Sequence, residues 1–139
     1  MYEPEVRLYD LSKLNTGDQL IFVSKFWGLR HIVLMISPLS GVHNRSNHNW
    51  NFKDDGIVVA DLATLIKNHA PRSRELRIKK YVGSQEFMQK AIEKALASVG
   101  DMNYNLIFNN CQHFVNTVLY DVKRSEQIQQ FSFNLLKGA

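Results

Sequence analysis

The hydrophobic pattern changes its character near residue 83, and this change limits what the chain can fold into. Before that point apolar residues form short runs or alternate with polar ones, as they do in strands. The longest run, Ile32–Ile36, has strand length, and no segment has the ~20 apolar residues of a membrane-spanning helix. After Ser84 the apolar residues recur at helical spacing. Strands followed by helices are typical of an α+β domain, which predicts an antiparallel sheet with helices packed on one side.

The first part of the chain contains five predicted strands. Residues 1–16 form an arm that leads into a turn at 15–18. The strand at 31–36 is apolar throughout, so we expect it to be buried on both faces. Residues 44–55, rich in Asn, Asp and Ser, favour turns, and Asp61 is suited to cap a helical turn. The strands are expected at 19–23, 31–36, 42–43, 57–59 and 75–82.

Two helices are predicted at the end of the chain. The first follows Ser84, a residue type that often caps helix N-termini, and ends at Gly100. The second begins near Asn110 and Cys111. Its apolar face is formed by Cys111, Phe114, Val115, Val118, Leu119 and Val122.

The chain has 139 residues, a formal net charge of +4 and one cysteine. This length predicts one domain over residues 1–139, and a single thiol excludes internal disulfides and cysteine-rich zinc sites. The charged N-terminus does not resemble a signal peptide, so we expect a cytoplasmic protein, soluble or peripheral at membranes. A charge of this size is weak support for a nucleic-acid partner, and no nucleic-acid motif accompanies it.

The lone thiol is either a buried small side chain or a reactive group. Cys111 falls in the first turn of a predicted helix, where free amide groups and the helix dipole favour a thiolate. Cys111 also belongs to the apolar face of that helix, so burial without chemistry is the alternative.

Two histidines could supply a base for this thiol. His31 stands directly before the apolar part of a strand, and His43 follows after a turn. Adjacent antiparallel strands would bring both side chains to one side of the sheet. One imidazole could then take the thiol proton while the other holds the tautomer of the first, as in a catalytic triad. Histidines with a purely structural role in the core or at the surface are the alternative.

The residues around the thiol carry a family signature. Residues 110–116, Asn-Cys-Gln-His-Phe-Val-Asn, resemble the NCEHFVN motif of the lecithin:retinol acyltransferase-like proteins, most closely the phospholipase A/acyltransferase (HRAS-like suppressor) branch. Residues 17–21 and 30–31 resemble two further motifs of that family, and His43 stands where its second histidine is expected. The segment 119–127 is similar to the continuation of the first motif. The resemblance covers a core of about residues 14–128.

The resemblance implies a fold and a reaction. The fold would be a circularly permuted papain-like domain, related to the NlpC/P60 thiol hydrolases. Cys111 would be the nucleophile, His31 the general base and His43 the orienting third residue. The substrate would be a glycerophospholipid, whose acyl chain passes through a thioester to water (phospholipase A activity) or to an amine (N-acyltransferase activity). No metal or other cofactor is implied.

The sequence departs from the family in one loop and near its end. The loop before His31 is longer than expected, which leaves the family's substrate contacts there without a clear counterpart. The mostly polar residues 127–130 stand where the family usually has a hydrophobic anchor. Either such an anchor has been removed from the sequence, or the protein contacts membranes only by its surface. The candidate substrate-binding residues are Phe26, Trp27, Arg30 and Asn110.

Other interpretations stay open at this point. A non-enzymatic interaction module with the same fold is one, because picornaviral H-box/NC proteins resemble this family too. A peptidase or amidase of the wider thiol superfamily is another. A basic segment could hold anionic lipid headgroups, or it could be the solvated face of a strand. Its residues are Arg72, Arg74, Arg77, Lys79 and Lys80.

Overall fold

The computed structural model describes residues 1–26, 28–45, 56–100 and 110–137. Its strands are β1 (Val6–Arg7), β2 (Gln19–Ser24), β3 (Arg30–Ser37), β4 (Ser40–Arg45), β5 (Gly56–Asp61) and β6 (Ser73–Lys79). Its helices are α1 (Leu62–His69), α2 (Gln85–Ala97) and α3 (Asn110–Lys137), with 3-10 turns at Leu11–Lys13 and Ala70–Arg72. Within these residues the strands form one antiparallel sheet in the order β1-β6-β2-β3-β4-β5.

The five predicted strands are confirmed, with different ends. β4 continues through Asn44, which was expected in a turn and instead pairs with Ile57 of β5. The N-terminal arm contributes a sixth strand, because Val6 pairs with Ile78 of β6. The hydroxyl of Tyr2 donates to the carbonyl oxygen of Gly17 at 2.8 Å and fixes the start of the arm.

The helix caps follow the predicted chemistry. The carboxylate of Asp61 accepts from the backbone N–H of Thr64 at 2.7 Å, and the hydroxyl of Ser84 accepts from that of Phe87 at 3.1 Å. α3 begins at the predicted place and runs for 28 residues, well past the predicted apolar face. Among the described residues, no helix is long and apolar enough to cross a membrane.

α2 and α3, the two helices predicted at the end of the chain, pack on one face of the sheet as expected, and α1 lies on the other face. β5 is an edge strand, whereas β6 lies between β1 and β2, so the chain has to cross the sheet between them. α1 lies on this crossover, and its Leu62 and Leu65 pack with Leu20 and Val33. α2 and α3 cover the opposite face, where Phe114 packs in a cluster with residues of the central strands.

The buried carboxylate of Asp18 joins the start of β2 to the end of β6. It accepts hydrogen bonds from the backbone N–H of Tyr81 and of Asn15, both at 2.8 Å, and from Lys80 Nζ at 2.9 Å. The preceding Gly17 has a φ of 91°, a left-handed conformation that favours glycine. The Gly-Asp pair of the sequence therefore has a structural role at this corner.

Candidate functional site

Two strands bring His31 and His43 together, as predicted. β3 and β4 are antiparallel, and the pairing of Leu34 with Val42 places His43 on the same face of the sheet as His31. The Nε2 atom of His31 and the Nδ1 atom of His43 are 2.8 Å apart, which is a hydrogen bond between the two imidazoles. His43 is buried and His31 is partly buried.

A third histidine, His69, completes the cluster and was not predicted. Its ring stacks on that of His31, with centroids 4.2 Å apart and planes 17° apart, and meets the His43 ring edge-on at 5.7 Å. His69 is the last residue of α1, so its position depends on which face of the sheet that helix covers. Among the described residues, these three form the one group of histidine, cysteine, aspartate or glutamate side chains that could hold a metal ion.

The surroundings lower the pKa of all three imidazoles. Burial is the largest cause for each. The pKa of His31 falls well below its usual value, with His43 and His69 adding to the effect. The pKa of His43 falls to about 3, because His69 and Arg45 also oppose a positive charge there. Arg72 and Arg45 act in the same way on His69. At neutral pH the cluster is therefore uncharged.

α3 covers the opposite face of the sheet from these imidazoles. Its buried Phe114 and Val115 share a cluster with Ile32, and Ile32 faces away from His31 because side chains alternate along a strand. Cys111 lies in the first turn of α3, as predicted, and its side chain is outside the described part of the chain. The sheet thus separates the histidines from the body of α3.

The start of α3 and the histidines nevertheless share one end of the sheet. The backbone N–H of Gly100, just after α2, donates to the carbonyl oxygen of Ile57 at 2.9 Å. Ile57 pairs with Asn44, the neighbour of His43. α2 and α3 are antiparallel, so the end of α2 lies near the start of α3. Two ion pairs show this direction: Lys90 with Glu126 at 3.5 Å, and Lys94 with Asp121 at 3.4 Å.

The four candidate substrate-binding residues differ in their surroundings. Phe26 lies in the loop between β2 and β3 with 68% of its surface exposed. Trp27 is outside the described residues, as is the side chain of Asn110. Arg30 forms an ion pair with Glu5 of the arm and, as the neighbour of His31 on one strand, points to the other face.

The basic segment is divided between ion pairs and exposed side chains. Arg77 Nε lies 2.7 Å from a carboxylate oxygen of Glu5, and Lys80 is bound to the buried Asp18. Arg72 and Arg74 are exposed. Arg77 and Lys80 are thus partly buried and held by carboxylates, so the expected solvated strand face does not describe these two residues.

Comparison with known proteins gives one match. The family model described as lecithin retinol acyltransferase matches residues 27–124, more than two thirds of the chain. The matched range contains all three clustered histidines and Cys111. No curated protein and no solved structure matches the chain significantly.

Proposed function

Because the chain belongs to the lecithin retinol acyltransferase family, we propose that it transfers acyl groups from glycerophospholipids through a thioester on Cys111. The observation that carries the proposal is the hydrogen bond between His31 and His43, two imidazoles paired at 2.8 Å within the matched range. A circularly permuted papain-like topology, with the core at about residues 14–128, belongs to the same proposal.

The reaction has two steps. The Cys111 sulfur attacks the acyl carbonyl carbon while His31 takes the thiol proton, and that proton then passes to the departing lysophospholipid oxygen. Water or an amine next attacks the thioester, releasing a fatty acid or an N-acyl product and restoring the thiol. His43 holds the tautomer and orientation of His31. The amide groups in the first turn of α3 stabilise the negative charge on the carbonyl oxygen.

The low pKa of His31 determines how the proton moves. An imidazole with such a pKa is unprotonated at neutral pH and can accept the thiol proton, but it releases that proton readily. The resting imidazole of His31 is therefore neutral. Proton transfer accompanies attack on the substrate, and the same property makes His31 an effective acid for the leaving group.

The proposal sets a geometric requirement for Cys111. The thiol has to meet His31 at the end of the sheet that both share, since the strands lie between α3 and the imidazoles. Alkylation of the thiol by iodoacetamide at pH 7 tests this contact. We expect the rate to fall by about ten-fold in His31→Gln, because the base that assists deprotonation is lost. Equal rates in both proteins would contradict the contact.

Trapping of the acyl-enzyme tests the reaction itself. After incubation with phosphatidylcholine vesicles, intact-mass spectrometry should find the mass of one acyl chain added at Cys111. Cys111→Ala should show no addition, and His113→Gln, which changes an exposed histidine two residues along the same helix, should be acylated normally. A wild-type protein without the addition would overturn the proposal. Hydrolysis of amide substrates without acylation by phosphatidylcholine would indicate a peptidase or amidase.

A second candidate function is a non-enzymatic interaction module. The observation that favours it is the stacking of His31 on His69, on the face opposite α3. In that case Cys111 would have ordinary thiol reactivity, and neither the alkylation nor the acylation experiment would distinguish the wild-type protein from its histidine variants.

We also propose that the protein meets its lipid substrate at a membrane surface. The exposed Phe26, together with the exposed Arg72 and Arg74, offers an apolar and basic combination suited to an anionic bilayer. Sedimentation with phosphatidylserine vesicles should be weaker for Phe26→Ser than for wild type. An unchanged bound fraction would exclude Phe26 as an anchor.

A further inference from the structure

We propose that His31, His43 and His69 bind a divalent transition-metal ion such as Zn²⁺. Their ligand atoms all lie within 4.8 Å of one another, and the closest two are 2.8 Å apart. Three imidazoles are a ligand set that Zn²⁺ uses in proteins, with the fourth position left to water. Imidazoles are largely unprotonated at pH 7.5, so each can offer a lone pair.

The spacing of the nitrogen atoms is close to what the ion needs. Zn–N bonds of about 2.0–2.1 Å in a tetrahedral site place two ligand nitrogens about 3.3 Å apart. The hydrogen-bonded pair would open by about half an ångström, and the third imidazole would move inward by about 1.5 Å. Side-chain rotation is sufficient for movements of this size, so the strands can stay in place.

His69 is the ligand that has to turn. A metal ion lies in the plane of each imidazole that binds it, but the rings of His31 and His69 are stacked with planes only 17° apart. His69 stands at the junction of α1 with the following 3-10 turn, is partly buried, and makes no side-chain capping hydrogen bond to that turn. Rotation of its ring would exchange the stacking contact for a coordinate bond.

The charged groups near the cluster make a specific prediction about affinity. Arg45 and Arg72 both act electrostatically on His69, and Arg45 also acts on His43. These positive charges oppose a dication. Neutralising the exposed Arg45 should therefore strengthen binding, and Mg²⁺, which prefers oxygen ligands, should not bind.

Metal binding would have a consequence for the enzyme. The ion would occupy the Nε2 atom of His31, which is hydrogen-bonded to His43 in the proposed enzyme. Binding would break that bond, and the positive ion would weaken the base at the other ring nitrogen, which takes the thiol proton in the proposed reaction. We therefore expect Zn²⁺ to inhibit acylation reversibly. Binding itself does not depend on the proposed function, whereas inhibition rests on it.

Calorimetry with ZnCl₂ at pH 7.5 tests the binding. The titrated protein is Cys111→Ala, which removes the thiol as a competing ligand. We expect one ion per chain and an affinity at least ten-fold weaker when His69→Gln is added. The matched control His113→Gln, which changes an exposed histidine on α3, should bind as before. Circular dichroism confirms that each variant is folded.

Two outcomes would overturn the metal site. One is the absence of binding to Cys111→Ala, and the other is a pattern of affinities that does not depend on His69, with no change in His69→Gln. Co²⁺ provides a second measurement, because four-coordinate Co²⁺ absorbs strongly in the visible range and six-coordinate Co²⁺ only weakly. Weak absorption would contradict a tri-histidine site even where heat is released.

The inhibition is measured separately on the protein with its thiol. The ratio of the acylation rate with Zn²⁺ to the rate without it should be low in wild type and in His113→Gln, and EDTA should return it to one. In His69→Gln the same inhibition should need at least ten-fold more Zn²⁺. Zn²⁺ that binds but leaves acylation unchanged would overturn the inhibitory role alone. A protein without acylation would refute the proposed function and leave the calorimetric result to decide the site.

Discussion

The two faces of the sheet differ in what they bury. The face under α2 and α3 is filled by apolar side chains, with Phe114 and Val115 fully buried among residues of the central strands. The face under α1 is apolar along most of its length but holds three imidazoles at one end. Burial of polar rings stabilises a fold less than burial of apolar ones, because each ring loses contact with water.

One strand supplies both kinds of surface. His31 and Ile32 are neighbours on β3, and the alternation of side chains sends one to the histidine cluster and the other into the core under α3. The apolar face therefore supports the fold, whereas the polar end of the other face is available for chemistry. Substitutions on the two faces should therefore differ in their effects on stability.

The largest expected effect is on the face under α3. Phe114→Ala would leave a cavity in a fully buried cluster and should lower the free energy of unfolding by about 3–5 kcal/mol. Phe26→Ala removes the same ring from an exposed loop and should change it by less than about 0.5 kcal/mol. Urea denaturation followed by circular dichroism measures both. Similar values for the two variants would show that α3 does not pack on this face.

On the face under α1 the expected effect is a steric one. A Cβ atom at Gly41 would lie 2.3 Å from Cγ1 of the buried Val33. Gly41→Ala should therefore cost about 1–3 kcal/mol through overpacking.

The double variant Gly41→Ala/Val33→Ala removes the atom that clashes. Its loss of stability should be smaller than the sum of the two single losses by at least about 0.5 kcal/mol, measured by the same denaturation. Simple additivity would mean that the backbone of β4 moves and no clash exists. In that event the face under α1 would be less tightly packed than the face under α3.

Much of the face under α2 and α3 could be predicted from the sequence. Helical spacing after Ser84 identifies most of the buried positions of both helices, although Leu96 at the same spacing is exposed, and the apolar run of β3 predicts a central strand. The two histidines could be paired as well, because a turn between two antiparallel strands leaves few alternatives for them.

The other face could not be predicted in the same way. α1 has eight residues, and its small apolar set, with Leu62 and Leu65 buried, fits either face of the sheet. Only the crossover from β5 to β6 decides the face, and that follows from the strand order. The position of His69, the last residue of α1, depends on which face α1 covers. β1 could not be predicted from the sequence either, because both of its residues are exposed and show no periodic pattern.

Within the histidine cluster the expected stability change is smaller. His43→Leu leaves the Nε2 atom of His31 without its partner inside the fold, which should cost about 1 kcal/mol after the gain in apolar burial. His43→Asn can restore a polar atom near the former Nδ1 position and should recover part of the loss. Nitrogen chemical shifts of His31 report its tautomer in each variant. A tautomer unchanged in His43→Leu would refute the orienting role of His43.

The smallest expected change in stability is on the face under α3, in a region next to the N-terminal arm. There an ionic group takes the place of apolar side chains. The Glu5 carboxylate pairs with Arg30 and Arg77, and the hydrogen bond from Arg30 is the main reason that the pKa of Glu5 is lowered. A lowered pKa stabilises the fold above the ordinary pKa of the carboxyl, and this stabilisation is lost as the pH falls through the folded-state value.

Glu5→Gln should therefore be less stable than wild type at pH 7, by about 0.5–1 kcal/mol for a partly exposed pair. The difference should disappear at a pH below the lowered pKa of Glu5, where the wild-type carboxyl is itself protonated. Thermal unfolding at both pH values measures it. A difference that persists at low pH would mean that Glu5 acts through packing, in which case the outer part of this face would resemble the core under α3.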